Sequence, residues 1–150
     1  MVKKTIYTNY HYTEPKLVLD THVFTWFAFE DKKLSQKYID IITEYRDMHA
    51  LYLPAICLWE IALLVKNKLL KLNKPCGQWL HECTSKPGLT IAPLSVDIAI
   101  ESVDMSPTFH SDPADRLIVA TARVLNAKLM TRDTKILQYA ENGFVECIEI

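Results

Sequence analysis

Four acidic residues stand where fold-building has little use for charge. Asp20 ends the apolar run Leu17–Leu19, Glu60 interrupts an apolar helical stretch, Asp115 lies in the first turn of a helix opened by Asp112-Pro113, and Asp133 follows a short strand-like run at 128–131. In a parallel α/β sheet, strand C-termini and the adjoining helix N-termini lie along one edge, where ligand crevices form. Positions of this kind are therefore expected to come together. Two carboxylates ~4 Å apart repel by about 4 kcal/mol at an effective dielectric of about 20, so a cluster of them needs cations. Oxygen donors without a Cys/His constellation select Mg²⁺ or Mn²⁺ over Zn²⁺.

Each acid also has an ordinary role to weigh. At three and four positions from Glu60 stand Ile56, Cys57, Leu63 and Leu64, so its carboxylate shares an apolar helix face and is costly there without a partner. The competing role for Glu60 is an ion pair with a distant Arg or Lys. For Asp20 it is capping the helix that follows. Asp112 before Pro113 is fully explained as an N-cap with proline at the first helical position, and it is read as structural. Asp115, at the third helical position, also suits the helix dipole, and Asp133 suits the cap of the last helix, so their case rests on the company they keep. His22 and His110 flank the acids in sequence and are read as supporting or solvated residues.

The elements that would position these residues alternate. Leu17–Leu19 reads as a buried strand, residues 23–29 as a bulky apolar helix, and 36–48 as a helix capped by Ser35 with Tyr38, Ile41, Ile42 and Tyr45 on its buried face. A second strand at 51–53 leads to Pro54, which opens a helix at 55–66 carrying Ile56, Trp59, Leu63 and Leu64. A short helix at 78–86 points Trp79, Leu80 and Cys83 inward, and Lys86-Pro87-Gly88 turns the chain into a third strand at 90–94. Ser95 caps a helix to about 105, 106–111 is a polar loop, and Asp112-Pro113 starts a strongly periodic helix through Leu125. Strands at 128–131 and 144–148 finish the sheet. This pattern predicts a three-layer α/β/α domain with a mainly parallel central sheet of about five strands.

One such domain accommodates the whole chain of 150 residues, with 1–16 as an N-terminal extension of no assigned role and 17–150 as the folded unit. A formal charge of -1 gives no basis for generic polyanion binding, so a nucleic-acid partner needs metal or a local basic patch. Lys66, Lys68, Lys71 and Lys74 are either that patch or a solvated helix end. The four cysteines form no C-x-x-C pair and are expected to be reduced core residues. The N-terminus lacks the continuous apolar stretch of a signal peptide, and no run approaches the roughly 20 apolar residues of a membrane helix. A soluble, cytoplasmic protein is the expectation.

Four blocks in order, Leu-Val-Leu-Asp-Thr-His at 17–22, Leu-Pro-Ala-Ile-Cys-Leu-Trp-Glu-Ile at 53–61, Asp-Pro-Ala-Asp-Arg-Leu-Ile-Val-Ala-Thr-Ala at 112–122 and Leu-Met-Thr-Arg-Asp at 129–133, carry a resemblance. The chain resembles PIN-domain ribonucleases, specifically the VapC-type toxins of bacterial toxin–antitoxin pairs. Carried over position by position, the resemblance implies an acidic metal site at Asp20, Glu60, Asp115 and Asp133. Thr131 stands as a supporting hydroxyl, and Arg116 as either a site-edge residue or a structural ion pair. It further implies Mg²⁺- or Mn²⁺-dependent hydrolysis of single-stranded RNA by activated water, a homodimer, and a cognate antitoxin lying over the site. The alternatives are a catalytically inactive PIN-like domain that binds RNA or protein, and an aspartate-nucleophile phosphatase. The phosphatase needs a second acid two residues after Asp20, where this chain has His22.

Overall fold

The computed structural model describes residues 14–109 and 112–150. The N-terminal extension up to residue 13, together with His110, lies outside the described residues. In chain order the elements are β1 (Leu17–Leu19), α1 (Thr21–Ala28), α2 (Gln36–Asp47), β2 (Leu51–Pro54), α3 (Ala55–Lys66), α4 (Cys76–Thr84), β3 (Leu89–Ala92), α5 (Val96–Asp104), α6 (Pro113–Val124), β4 (Lys128–Thr131), α7 (Thr134–Glu141) and β5 (Cys147–Glu149).

All strand pairs are parallel, and the sheet runs β3-β2-β1-β4-β5. Leucine and valine fill β1 without a polar residue because helices cover both faces of such a sheet, and its three side chains are fully buried. Successive strands step one way from β1 to β3, and then the chain crosses back to place β4 on the other side of β1. That crossing is made through α5 and α6. Helix α6 packs on β1, β2, β4, α3 and α5, which is why Ala114, Ile118, Val119, Ala120, Thr121 and Ala122 are all buried. The expected three-layer α/β/α architecture is what forms.

Several boundaries differ from the sequence pattern for identifiable reasons. Helix α1 begins at Thr21, directly after Asp20, because the Asp20 carboxylate accepts the Thr21 amide and caps it. Pro54 closes β2 and stands just before the first residue of α3. Helix α4 starts at Cys76, one residue after Pro75, and ends before the Pro87 that would disfavour helical geometry in its predecessor. Strand β3 stops at Ala92 because Pro93 has no N–H to donate. Gly143, at φ 78, turns the chain after α7, so β5 is delayed to Cys147. On α3 the inward face is Cys57 and Ile61, while Trp59 and Leu63, two of the apolar residues the helix carries, are exposed.

Gly88 is required where it stands. At φ 88, a Cβ there would sit 2.1 Å from the Arg46 carbonyl oxygen. The four cysteines are free, but only Cys57 is buried; Cys76, Cys83 and Cys147 are half-exposed. No helix among the described residues is long and apolar enough to cross a membrane.

Candidate active site

The reversal of strand order between β1 and β4 leaves a crevice outside their carboxyl ends, the usual ligand position in an open α/β sheet. Asp20 extends β1 into it, its amide still bonded to the Met130 carbonyl of β4 at 3.1 Å. Asp133 follows β4 by two residues. Helix α3 leaves β2 and carries Glu60 on its second turn, and the N-terminus of α6 brings Asp112 and Asp115. A pocket of about 540 Å³ is lined by all five of these acids together with Thr21, His22, Trp26, Leu63, Leu64, Asn67, Leu69 and Arg132.

Two threonines tie the acids together. The Thr131 hydroxyl, fully buried, donates to Asp20 Oδ2 at 2.6 Å and accepts the Asp133 amide at 3.0 Å. Asp20 Oδ1 accepts the Thr21 amide at 2.7 Å, and the Thr21 hydroxyl donates to Glu60 Oε1 at 2.6 Å. One hydrogen-bonded chain thus runs from the start of α7 to the middle of α3. Asp133 Oδ1 caps α7 by accepting the amides of Lys135 and Ile136, which leaves its other oxygen for a ligand. Asp112 caps α6 through the Asp115 amide at 2.9 Å, as its place before Pro113 predicted, yet it also borders the pocket.

The electrostatics of this crevice are strained. Burial pushes the Asp20 carboxyl above its ordinary value; the bonds from Thr131 and Thr21 and the nearby His22 pull it down, and Asp133 pushes it up again. Burial likewise raises Glu60 against the pull of Thr21, with further upward pressure from Asp20, Asp115 and Asp112. The Cys57 thiol beneath them is driven well above the usual thiol range by its burial. Desolvated carboxylates that repel one another call for a counter-charge, and an all-oxygen set suits a hard divalent cation. Among the described residues, no three Asp, Glu, His or Cys side chains are gathered closely enough to hold an ion as they stand. The chemistry of the donors therefore fits a metal, while the set remains open.

The remaining residues singled out in the sequence fall as follows. Thr131 is the buried hydroxyl under Asp20. Arg116 does not line the pocket and makes no ion pair among the described residues: its guanidinium donates to the carbonyls of Ser102 and Phe109 at 2.8 and 2.9 Å, fastening α6 to the end of α5 and the loop after it. Lys74 is taken up by Glu82, so the lysine strip is shortened to Lys66, Lys68 and Lys71. Thr21 and Trp26 also line this pocket and were not singled out in the sequence. The signal for Thr21 was its place directly after Asp20; for Trp26 it was a position one helical turn beyond His22.

The PIN domain family matches residues 17–142. The chain is 31% identical over 120 residues to Ribonuclease VapC22 of Mycobacterium tuberculosis, covering 80% of this chain and 88% of that protein. Among solved structures, it is similar to VapBC2 from Rickettsia felis bound to a DNA fragment from the promoter, with a TM-score of 0.65 and 15% identity over 89% of this chain and 97% of that one. DNA-bound VapBC from Salmonella typhimurium gives a TM-score of 0.65 and 13% identity over 91% and 98% of the two chains. These structural likenesses show a shared fold.

Proposed function

The chain belongs to the PIN-domain family, and on that premise we propose that it is a toxin-type endoribonuclease hydrolysing single-stranded RNA phosphodiester bonds with divalent-metal-activated water. The observation that carries this reading is the meeting of Asp20, Glu60, Asp115 and Asp133, from four separate parts of the chain, around one pocket at the switch point of the sheet. A bound Mg²⁺ or Mn²⁺ supplies a lowered pKa for the attacking water and offsets charge at the phosphate. The four carboxylates would hold it.

The protein's own groups do the positioning. Thr131 and Thr21 fix the direction of the Asp20 carboxylate on a strand end with little freedom to move, and Thr21 holds one oxygen of Glu60. Asp115 is held at the first turn of α6, where the amide dipoles of the helix favour its negative charge. No side chain is asked to act as nucleophile, which agrees with the state of the thiol next to the acids: Cys57 is kept protonated by burial.

The relative's printed name, a ribonuclease, supports the reaction class. The solved neighbours that are toxin–antitoxin complexes support a cognate antitoxin as partner, and a cytoplasmic place of action is part of the same reading. A homodimer is part of the same reading. Its support is the outer face of α5, where Val96, Ile100 and Val103 recur at helical spacing in the open beside exposed Leu94 and Trp59.

The test is cleavage of a mixed single-stranded RNA pool by antitoxin-free protein in Mg²⁺ or Mn²⁺. EDTA and the variant Asp115→Asn, with its fold checked by circular dichroism, are both expected to abolish cutting. Wild-type-rate cleavage by Asp115→Asn would remove it from the site. RNA binding without cleavage by the wild type would move the chain to the catalytically inactive binding reading.

A further inference from the structure

The pocket carries an obstacle to its own substrate. Five carboxylates line it, with the Arg132 guanidinium and the His22 imidazole as the basic groups against them, so a phosphate chain draws little attraction from its walls. Even with cations bound, that charge serves the phosphate at the reacting centre. Another source of grip is needed beside it.

Trp26 stands at that place. It lines the same pocket as the acids, half-buried on α1 and packed in part against the hydrophobic core, with one aromatic and two cationic side chains near its ring. The His22 ring lies nearly parallel to it at 24° with centroids 6.0 Å apart, the Arg132 guanidinium is 5.7 Å from its centroid, and the Lys33 ammonium is 5.8 Å away. The two cation–π distances are near the outer limit for such contact while the ring pair lies within the ordinary aromatic range, so the pocket side of the indole has neighbours without a close polar clasp. Trp79, by contrast, is 6% exposed and packed between Phe24 and Phe29, as a tryptophan that only fills a core should be. Trp59 is exposed on the far flank of α3, in an apolar groove without acids. Of the three tryptophans, Trp26 alone adjoins the carboxylates. Arg132 is adjacent in sequence to Asp133, so a group held over Trp26 is also held beside the acids.

We propose that Trp26, with His22 alongside and Arg132 over its ring, is the platform on which an unpaired base of the RNA stacks next to the bond to be cut. The proposal rests on the nuclease reading above and adds to it a base-binding subsite. Stacking on an indole face tolerates any base because every base has a π-face, and it requires the strand to be single, since a paired base is already stacked in its duplex. Arg132, a planar guanidinium with five donors, is suited to the phosphate that follows such a base. Grip through the base leaves the carboxylates to the cation.

The test uses the Asp115→Asn protein, so that RNA stays whole, in Mg²⁺. Fluorescein-labelled oligouridylate and the same sugar–phosphate chain without bases are titrated and read by anisotropy. Replacing Trp26 with Ala in that background should weaken oligouridylate binding roughly ten-fold, the usual effect of losing one aromatic stacking partner. It should leave binding of the abasic chain unchanged, and Trp26→Phe should restore most of the loss. In the cleaving enzyme, Trp26→Ala should raise KM more than it lowers kcat. Equal binding of the two probes by the parent, no binding of either, or an equal loss on both probes would each overturn the platform. Cleavage by the wild type decides the nuclease reading separately: an active enzyme indifferent to Trp26→Ala sinks only the subsite, and an inactive protein whose uridylate binding needs Trp26 sinks only the nuclease.

Discussion

Changing Thr131 to Val removes one hydroxyl and keeps the side chain's branched shape, so it isolates the bonds that hold Asp20. Thr131 is fully buried, donates to the Asp20 carboxylate at 2.6 Å and receives the Asp133 amide at 3.0 Å. A hydrogen bond to a charged acceptor contributes about 1.5–3 kcal/mol and a neutral one about 1, so the variant should lose about 3 kcal/mol at neutral pH. In a chain of 150 residues this corresponds to roughly 6–12 °C in Tm. The loss should depend on pH. Thr131 lowers the Asp20 pKa against the upward push of burial, so the variant's native state holds the Asp20 proton more tightly than the wild type's. As pH falls through those native values the variant gains protons first, its relative stability rises, and the gap narrows toward about 2 kcal/mol, the two neutral bonds that remain. Urea unfolding at neutral and at acid pH, followed by far-UV circular dichroism, measures both gaps. A loss that is the same at both pH values would refute the idea that the hydroxyl acts through the carboxylate charge.

Glu60→Gln keeps the oxygen that accepts the Thr21 hydroxyl and removes the charge. Because burial and neighbouring acids raise the native Glu60 pKa above its ordinary value of 4.5, the wild type loses stability as pH rises from that value through the native one. In EDTA the variant should therefore be flatter with pH and a few degrees higher in Tm at pH above the native value, while Mg²⁺ should stabilise the wild type more than the variant; a lower Tm for the variant in EDTA at every pH would contradict this. On the exposed face of α5, Ile100→Asp should shift the protein to monomer in sedimentation velocity without lowering its helix content, and an unchanged sedimentation coefficient would place any dimer contact elsewhere.

What the chain disclosed beforehand follows from how each residue's two jobs overlap. Asp20 and Glu60 were legible because charge at the end of an apolar strand or within an apolar helix has no cheap explanation. Asp115 and Asp133 were harder, since the position that suits a cap or a helix dipole is the same position that faces a crevice at a strand end. Asp133 does both: one oxygen caps α7 while the residue lines the pocket. Asp112 shows the converse, a complete capping account that hid its place at the pocket rim. Thr21 was not legible as a link to Glu60 because that bond spans 39 residues and exists only once α1 lies on α3. The layer order followed from the alternation of apolar runs with helical periods. The outward turn of Trp59 and Leu63 did not, since periodicity marks an apolar face without saying how much of it the neighbours cover.

The placement of Asp20 at the end of β1 has a consequence for control. Strand β1 is flanked by β2 on one side and β4 on the other, and all its side chains are sealed from water. Segments of that kind open only with the whole molecule, and their amides are the last to exchange with solvent. The floor of the crevice therefore cannot be switched by fraying or local melting, as a site built on loops can. Anything that blocks this crevice without unfolding the molecule would therefore act at its mouth, and its removal should return a floor that never lost its shape.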